Sequence, residues 1–173
     1  IDKLDFLMKS LIKMSRLETG IFVLHMEETR LSDTIAGAMS MILAEAEKKN
    51  IQLWADCDSK LTVKHDPKWT AEAIGNILDN AVKYTPEGGT ISILVRPWQF
   101  YTRIDISDTG IGIDQENYNA IFQRFYRGEE VTAKEGVGLG LYLARGIIAQ
   151  QNGYITVNSK KGKGSTFSVF LLS

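Results

Sequence analysis

The sequence predicts an α+β fold, a sandwich of helices and largely antiparallel strands. Three observations lead there. Four stretches carry apolar residues at helical spacing, among them Ile74, Ile77, Leu78 and Ala81. Seven shorter runs read as strands, and two pairs of them (90–96 with 101–107, and 154–158 with 165–172) are joined by turns short enough for hairpins. Helices and strands are interleaved without the strict alternation of a parallel sheet.

In chain order, residues 1–19 read as a helix. Leu4, Leu7, Leu11 and Met14 recur at heptad-like spacing, and Gly20 stops it. That stripe suits either packing on its own domain or the end of a longer helix that pairs with a partner. Ile21–Met26 reads as a strand. Ser32 or Asp33 is placed to cap a long helix running to about Asn50. Ile51–Ala55 and Leu61–His65 are short strands around a polar turn. Asp66-Pro67 opens the next helix, with Asp as the cap and Pro in the first turn, and it runs to Tyr84. Thr90–Arg96 and Tyr101–Ser107 form a hairpin with Pro97 in the connection. Residues 108–140 are a long connection edged by glycines. Its span from about 114 to 135 is expected to be a lid, because long structureless loops in compact domains are usually functional or disordered. A helix over Leu139–Gln151, ended by Gly153, and strands Tyr154–Asn158 and Ser165–Leu172 complete the chain.

Bulk properties narrow the classes. The 173 residues suit one domain or one domain with a helical tail, and 44% apolar residues suffice for a core. A net charge of −1 argues against nucleic acid or an anionic membrane as the main partner. Cys57 is the single cysteine, so no internal disulfide is possible, as in a reducing compartment. No apolar run approaches the roughly 20 residues of a membrane span. The start, Ile1-Asp2-Lys3-Leu4, is neither a signal peptide nor an initiator Met, and the chain is expected to be a fragment.

Three clusters carry chemistry. On the helix 67–84, Asn76, Asn80 and Lys83 lie away from the apolar stripe. Asn competes for backbone groups inside a helix, so the pair is either a solvated face or a row of ligands suited to Mg²⁺ and phosphates. Asp108-Thr109-Gly110-Ile111-Gly112-Ile113 follows a strand. Its glycines admit a flat ligand or a turn with positive φ, and its Asp can accept a hydrogen bond from an amino group. Gly136-Val137-Gly138-Leu139-Gly140 opens a helix, where exposed N–H groups and the dipole favour an anion. It is no dinucleotide fingerprint, since no acidic residue follows Glu135, and no P-loop is present. Between these clusters, Tyr118, Phe122, Phe125 and Tyr126 at helical spacing read as a core stripe, with Arg124 and Arg127 able to reach a phosphate. His25 and His65 fall in strand candidates without metal-ligand company.

The order of these pieces resembles the boxes of sensor histidine kinases. Asn76-x3-Asn80-Ala81-x-Lys83-Tyr84-Thr85-Pro86 is similar to their N box, and Asp108-x-Gly110-x-Gly112 to G1. Ile121-Phe122-Gln123-Arg124-Phe125-Tyr126-Arg127 is similar to the F box, and Gly136-x-Gly138-Leu139-Gly140-Leu141 to G2. Gly162-Lys163-Gly164-Ser165-Thr166-Phe167 is similar to the closing box. The resemblance covers residues 21–173 as an ATP-binding catalytic domain, and residues 1–20 resemble the end of the dimerisation helix with its linker.

The resemblance implies the Bergerat-type fold, a mixed, mostly antiparallel sheet with helices on one face. It implies ATP and Mg²⁺ as cofactors, Asp108 on the adenine amino group, and Asn80 on the metal. Asn76, Lys83 and the backbone of Gly136, Gly138, Leu139, Gly140 and Leu141 would meet phosphates. Gly110, Gly112, Ile113, Tyr84, Phe122, Phe125 and Thr166 would line the nucleotide, and Arg127 would reach the γ-phosphate. Asn80, Lys83 and Arg127 are the catalytic candidates. The implied activity is phosphate transfer to a histidine on the dimerisation domain of a homodimeric parent, then to a response-regulator aspartate. The implied setting is the cytoplasmic side of a membrane-anchored protein, with the isolated fragment monomeric and unable to phosphorylate itself. Two departures stand out. Val137 occupies a position where G2 commonly has a small or polar residue, and no histidine followed by an acid lies on a helix that could be the acceptor. Two rivals share the features: an ATPase of the gyrase, mismatch-repair or chaperone type, with Glu72 one turn before Asn76 activating water, and a degenerate module acting by contacts alone.

Overall fold

The computed structural model describes residues 2–20, 23–123, 126 and 138–173. Among the described residues, five helices and seven strands follow in the order α1 (Asp2–Thr19), β1 (Glu27–Arg30), α2 (Leu31–Ser40), α3 (Leu43–Lys48), β2 (Gln52–Asp56), β3 (Thr62–His65), α4 (Pro67–Tyr84), β4 (Thr90–Trp98), β5 (Tyr101–Asp108), α5 (Gly140–Gln150), β6 (Tyr154–Lys160) and β7 (Gly164–Leu172). Two short 3-10 turns, Gln115–Asn117 and Ala120–Phe122, lie between β5 and α5.

The main sheet is mixed, in the order β2-β4-β5-β7-β6, with β2 parallel to β4 and every other pair antiparallel. One core joins its inner face to α2, α4 and α5, through residues such as Ile35, Ile74, Leu78 and Ile148 against Ile93, Ile106 and Val169. Each such aliphatic side chain taken fully out of water contributes roughly 1.5–3 kcal/mol. The helices cover one face, as expected. The opposite face is closed by polar and aromatic contacts. Asp105 accepts from Arg96 Nη2 at 2.8 Å, Arg103 Nε at 2.8 Å and Ser168 Oγ at 2.6 Å. Arg103 also lies over the rings of Trp98 and Phe170.

The α4 boundaries agree with the sequence reading because they are set locally. Asp66 Oδ1 accepts the Trp69 N–H at 2.9 Å and Pro67 needs no partner in the first turn. The same buried carboxylate accepts the His25 N–H through Oδ2 at 2.7 Å, which ties residues 23–26 to the head of α4. At the other end, Lys49 Nζ donates to the Val82 carbonyl at 2.6 Å and the Lys83 carbonyl at 3.3 Å.

Other expectations need correction. Residues 23–26 form no strand, so His25 is not in one; the strand begins at Glu27 and pairs β1 with β3 in a separate two-stranded sheet. The strand expected over Ile21–Met26 begins at residues 21 and 22, which lie outside the described residues. The helix expected to reach Asn50 is broken into α2 and α3. Neither Ser32 nor Asp33 caps it, since the cap position is Arg30. The break follows Ser40, whose hydroxyl donates to the Gly37 carbonyl at 2.6 Å. Pro97 lies inside β4 rather than in the connection. β2 ends at Asp56 opposite Leu94, so beyond that point β4 has no neighbour on that side to miss an N–H. At the end of α5 the left-handed residue is Asn152 (φ 63°), while Gly153 lies so close to the Phe170 carbonyl that a Cβ would fall 2.1 Å from it.

The first reading of the α1 stripe, packing on its own domain, is met in part. Leu7, Met14 and Leu17 are half-buried toward the domain, whereas Leu4 and Leu11 are exposed. Leu17 sits in the notch left by Gly146, Tyr142 donates to Glu18 Oε1 at 2.9 Å, and Lys13 pairs with Glu72 of α4. Gly20 (φ 74°) ends the helix in the left-handed conformation, as read. No described helix is long and apolar enough to cross a membrane.

Candidate functional site

α4 is the element on which the pieces converge. Asn76, Asn80 and Lys83 are half-buried along one edge of it. Lys83 Nζ pairs with Asp79 Oδ2 at 2.8 Å, a partner one turn back that the sequence reading left out. The start of α5 lies against that edge: a Cβ on Gly140 would be 3.7 Å from Asn76 Cβ. No side chain caps α5, and its first turn holds no acidic residue. Among the described residues, its leading N–H groups and the positive end of its dipole therefore lie beside Asn76 without a side-chain cap, which suits an anion. Gly138 reaches this position with φ 73°. Leu139 and Leu141 bury their side chains, so only their backbone can meet a ligand.

The Asp108 loop is stitched to the other end of α4. The Ile111 N–H donates to the Tyr84 carbonyl at 3.2 Å, and a Cβ on Gly110 would fall 2.5 Å from the same oxygen. Asp108 Oδ1 accepts the Gly110 N–H at 2.9 Å, and the carboxylate also accepts the Ser165 N–H. Burial pushes the Asp108 carboxyl above the ordinary carboxylate range, opposed by those two hydrogen bonds. The Ile113 N–H is held by Ser159 Oγ at 2.7 Å.

Gly112 takes the positive φ that the turn reading asks for. Its φ is 74°, and a Cβ would lie 2.1 Å from the Lys160 carbonyl, so the glycine serves a turn packed against the β6–β7 hairpin. Gly112→Ala should lower stability by about 2–4 kcal/mol, from left-handed strain and overpacking together. Gly162→Ala has a similar φ of 84° but open space around it, and should cost only about 1 kcal/mol. Thermal unfolding of the two variants measures the difference, and equal losses would show that the Lys160 contact carries no weight.

Two candidates are placed elsewhere. Thr166 is paired in register with Ser107 and bonds its hydroxyl at 2.8 Å. Its neighbour Phe167 points into the helix-side core, so alternation turns Thr166 to the opposite face of the sheet. Ser165 takes the inward position instead, and the inward run Phe167, Val169, Leu171 was the sequence signal for it. Phe122 is buried edge-on to Phe167, with ring centroids 6.2 Å apart, which is the core role read for the aromatic stripe. Phe125, Arg127 and Gly136, with Arg124 and Val137, lie outside the described residues. Glu72, the candidate water-activating base, is engaged by Lys13 on the α1 side of α4. His65 is structural: buried, it donates from Nδ1 to the Val63 carbonyl at 2.8 Å and accepts the Thr34 hydroxyl at Nε2, 2.7 Å away.

Known proteins share this arrangement. Residues 65–173 match the family described as histidine kinase-, DNA gyrase B-, and HSP90-like ATPase. The sensor-like histidine kinase SenX3 of Mycobacterium tuberculosis is 32% identical over 172 residues, covering 98% of this chain and 42% of that protein. The adaptive-response sensory kinase SasA of a Synechococcus species is 34% identical over 168 residues, covering 95% and 44%. The chain thus spans about two-fifths of the length of these relatives. Among solved structures, full-length ShkA in complex with AMPPNP superposes with a TM-score of 0.87 at 23% identity, over 99% of this chain and 37% of that one. The Acinetobacter baumannii histidine kinase AdeS gives 0.82 at 21% identity, over 98% and 78%. At those identities the structures speak for the fold, and the fold is theirs. On the family match and these relatives together, the chain belongs to the histidine kinase-, DNA gyrase B-, and HSP90-like ATPases, and among them to the catalytic ATP-binding domains of sensor histidine kinases.

Proposed function

We propose that the chain binds ATP between α4, the Asp108 loop and the start of α5, and donates the γ-phosphate to a histidine on the dimerisation domain of its parent protein. A response-regulator aspartate then receives it. The observation that carries this is the edge of α4. Neither the Asn76 nor the Asn80 amide bonds to another described residue, although both are half-buried, and the start of α5, with no side-chain cap, lies beside Asn76. Half-buried amides left open toward an anion cradle suit a phosphate ligand better than a solvated face.

In this reading Asp108 accepts from the adenine amino group, with Tyr84, Gly110, Gly112 and Ile113 forming the wall beside it. Asn76, Lys83 and the backbone from Gly138 to Leu141 hold phosphates. Asn80 is the protein ligand for Mg²⁺. The described residues hold no cluster of three or more His, Cys, Asp or Glu, which suits a metal carried mainly by phosphate and water with one protein oxygen. Bound there, Mg²⁺ would neutralise phosphate charge. Phosphoryl transfer asks chiefly for positioning and charge neutralisation, and this site offers both without covalent chemistry of its own. Arg127 at the γ-phosphate belongs to the same reading, as does a lid over residues 114–135. Its first part, through Phe122, is anchored by Ile121, Phe122 and Tyr118.

Residues 1–20 act as the end of the dimerisation helix and its linker, and residues 21–173 as the catalytic domain. The parent is proposed to be a membrane-anchored homodimer with this domain on the cytoplasmic side. His25 is exposed outside any helix and His65 is buried in β3, so neither serves as acceptor. The pairing of Glu72 with Lys13, on the α1 side of α4, supports the kinase reading over the hydrolytic one. Radiolabelled ATP should label an added helical hairpin bearing its own acceptor histidine and leave the 173-residue chain unlabelled. Acid-labile label on the chain alone would overturn the proposal.

A further inference from the structure

We propose that Ser159 is a positioning residue for the adenine end of the site, and that Tyr118 hooks the segment after the Asp108 loop onto it. The proposal rests on the nucleotide reading above. β6 is an edge strand, and Ser159 lies near its end, paired with Ser165 of β7. Its side chain is a hub. Ser159 Oγ accepts the Ile113 N–H at 2.7 Å, donates to the Gly164 carbonyl at 2.9 Å, and lies 2.7 Å from Ser165 Oγ. A hydroxyl has one proton and two lone pairs, so with Gly164 taking the proton, Ser165 donates to Ser159. All three capacities are used.

These partners bracket Asp108. Ser165 donates its backbone N–H to the Asp108 carboxylate, and Gly164 lies so close to the Asp108 carbonyl that a Cβ would fall 2.0 Å from it. Ile113 ends the loop that Asp108 begins. One hydroxyl therefore holds the far end of the loop and, through Ser165, one of the two N–H groups that orient the carboxylate. The backbone of the same residue is held from the other side. Tyr118 Oη donates to the Ser159 carbonyl and accepts the Ser159 N–H at 2.6 Å. These are edge-strand groups that no further strand pairs. The segment carrying Tyr118 and the loop carrying Asp108 thus share a single anchor, so the one cannot leave without loosening the other.

The test is calorimetry on the whole chain with ATP, GTP and inorganic tripolyphosphate, comparing Ser159→Ala, Ser159→Thr and Tyr118→Phe with the parent sequence. Ser159→Ala should narrow the ATP-over-GTP preference about fivefold, the scale of one lost hydrogen bond, while tripolyphosphate binding stays within about twofold. Ser159→Thr, which keeps the hydroxyl in a strand, should restore the preference. Tyr118→Phe, which leaves the Ser159 side chain in place, should narrow it by a smaller factor. An unchanged preference in Ser159→Ala, or equal losses for ATP and tripolyphosphate, would reduce Ser159 to packing and overturn the proposal. If Ser159→Ala does not fold, an unchanged preference in Tyr118→Phe overturns it. Absence of any ATP preference in the parent chain would instead sink the nucleotide reading, and this inference with it.

Discussion

Asn80→Ala is expected to reduce phosphate transfer to an added acceptor hairpin by at least about a hundredfold, the equivalent of roughly 3 kcal/mol in the barrier. The side chain is half-buried on α4, with no described partner whose loss would unsettle the helix. Alanine is also the best helix former, so the fold should tolerate the change. What disappears is the neutral amide oxygen proposed as the protein ligand of the divalent cation. Without it the phosphate charge is left to Lys83, itself paired with Asp79. ADP binding measured without Mg²⁺ should change little, because Asp108 and its loop are untouched. Transfer at an undiminished rate, with Mg²⁺ dependence retained, would remove Asn80 from the site.

Asp108→Asn is expected to weaken ATP binding about tenfold or more and to erase most of the preference over GTP, since a hydrogen bond to a charged group carries roughly 1.5–3 kcal/mol. Guanine presents no amino group where adenine does, so in the proposed site the carboxylate is the discriminating group. Its environment adds a pH signature. Burial raises the Asp108 carboxyl above the ordinary carboxylate value. An acid raised in the folded state binds more protons there than when unfolded. The contribution of Asp108 to stability is therefore greatest below the unfolded value and is lost as pH rises through the folded one. Nucleotide binding runs the other way, because the amino group is accepted by the ionised form, so affinity should fall as pH drops through the raised value. Asp108→Asn should flatten both slopes. Equal affinity of the unaltered chain for ATP and GTP would remove Asp108 from the adenine.

The lesson about legibility is clearest on α4. Its start, its end and its buried and polar faces were all readable, because a cap, a first-turn proline and a 3.6-residue period act within a few residues of one another. The order of the Asn76, Asp108 and Gly138 clusters was readable for the same reason: each is a short local pattern. Facing was less secure. Thr166 looked like the site residue of the closing box, yet Phe167 commits the strand to its orientation and gives the inward place to Ser165.

By itself, then, the sequence determined the two-layer α+β class, the span of α4 and the family whose boxes it carries. Partnership was decided by tertiary structure. β2 and β3 are neighbours in the chain but join different sheets, because β3 meets β1 while β2 aligns with β4 across the α4 crossover. Glu72 could face the nucleotide or the N-terminal helix, and Lys13 of α1 holds it to the latter. Ser159 carried no motif, and it became a hub only when β6, the Ile113 loop and Tyr118 came together around one hydroxyl. Helix caps and periodicity are written in neighbouring residues, whereas a hydrogen bond across 41 or 46 positions exists only after the strands between them have chosen their register.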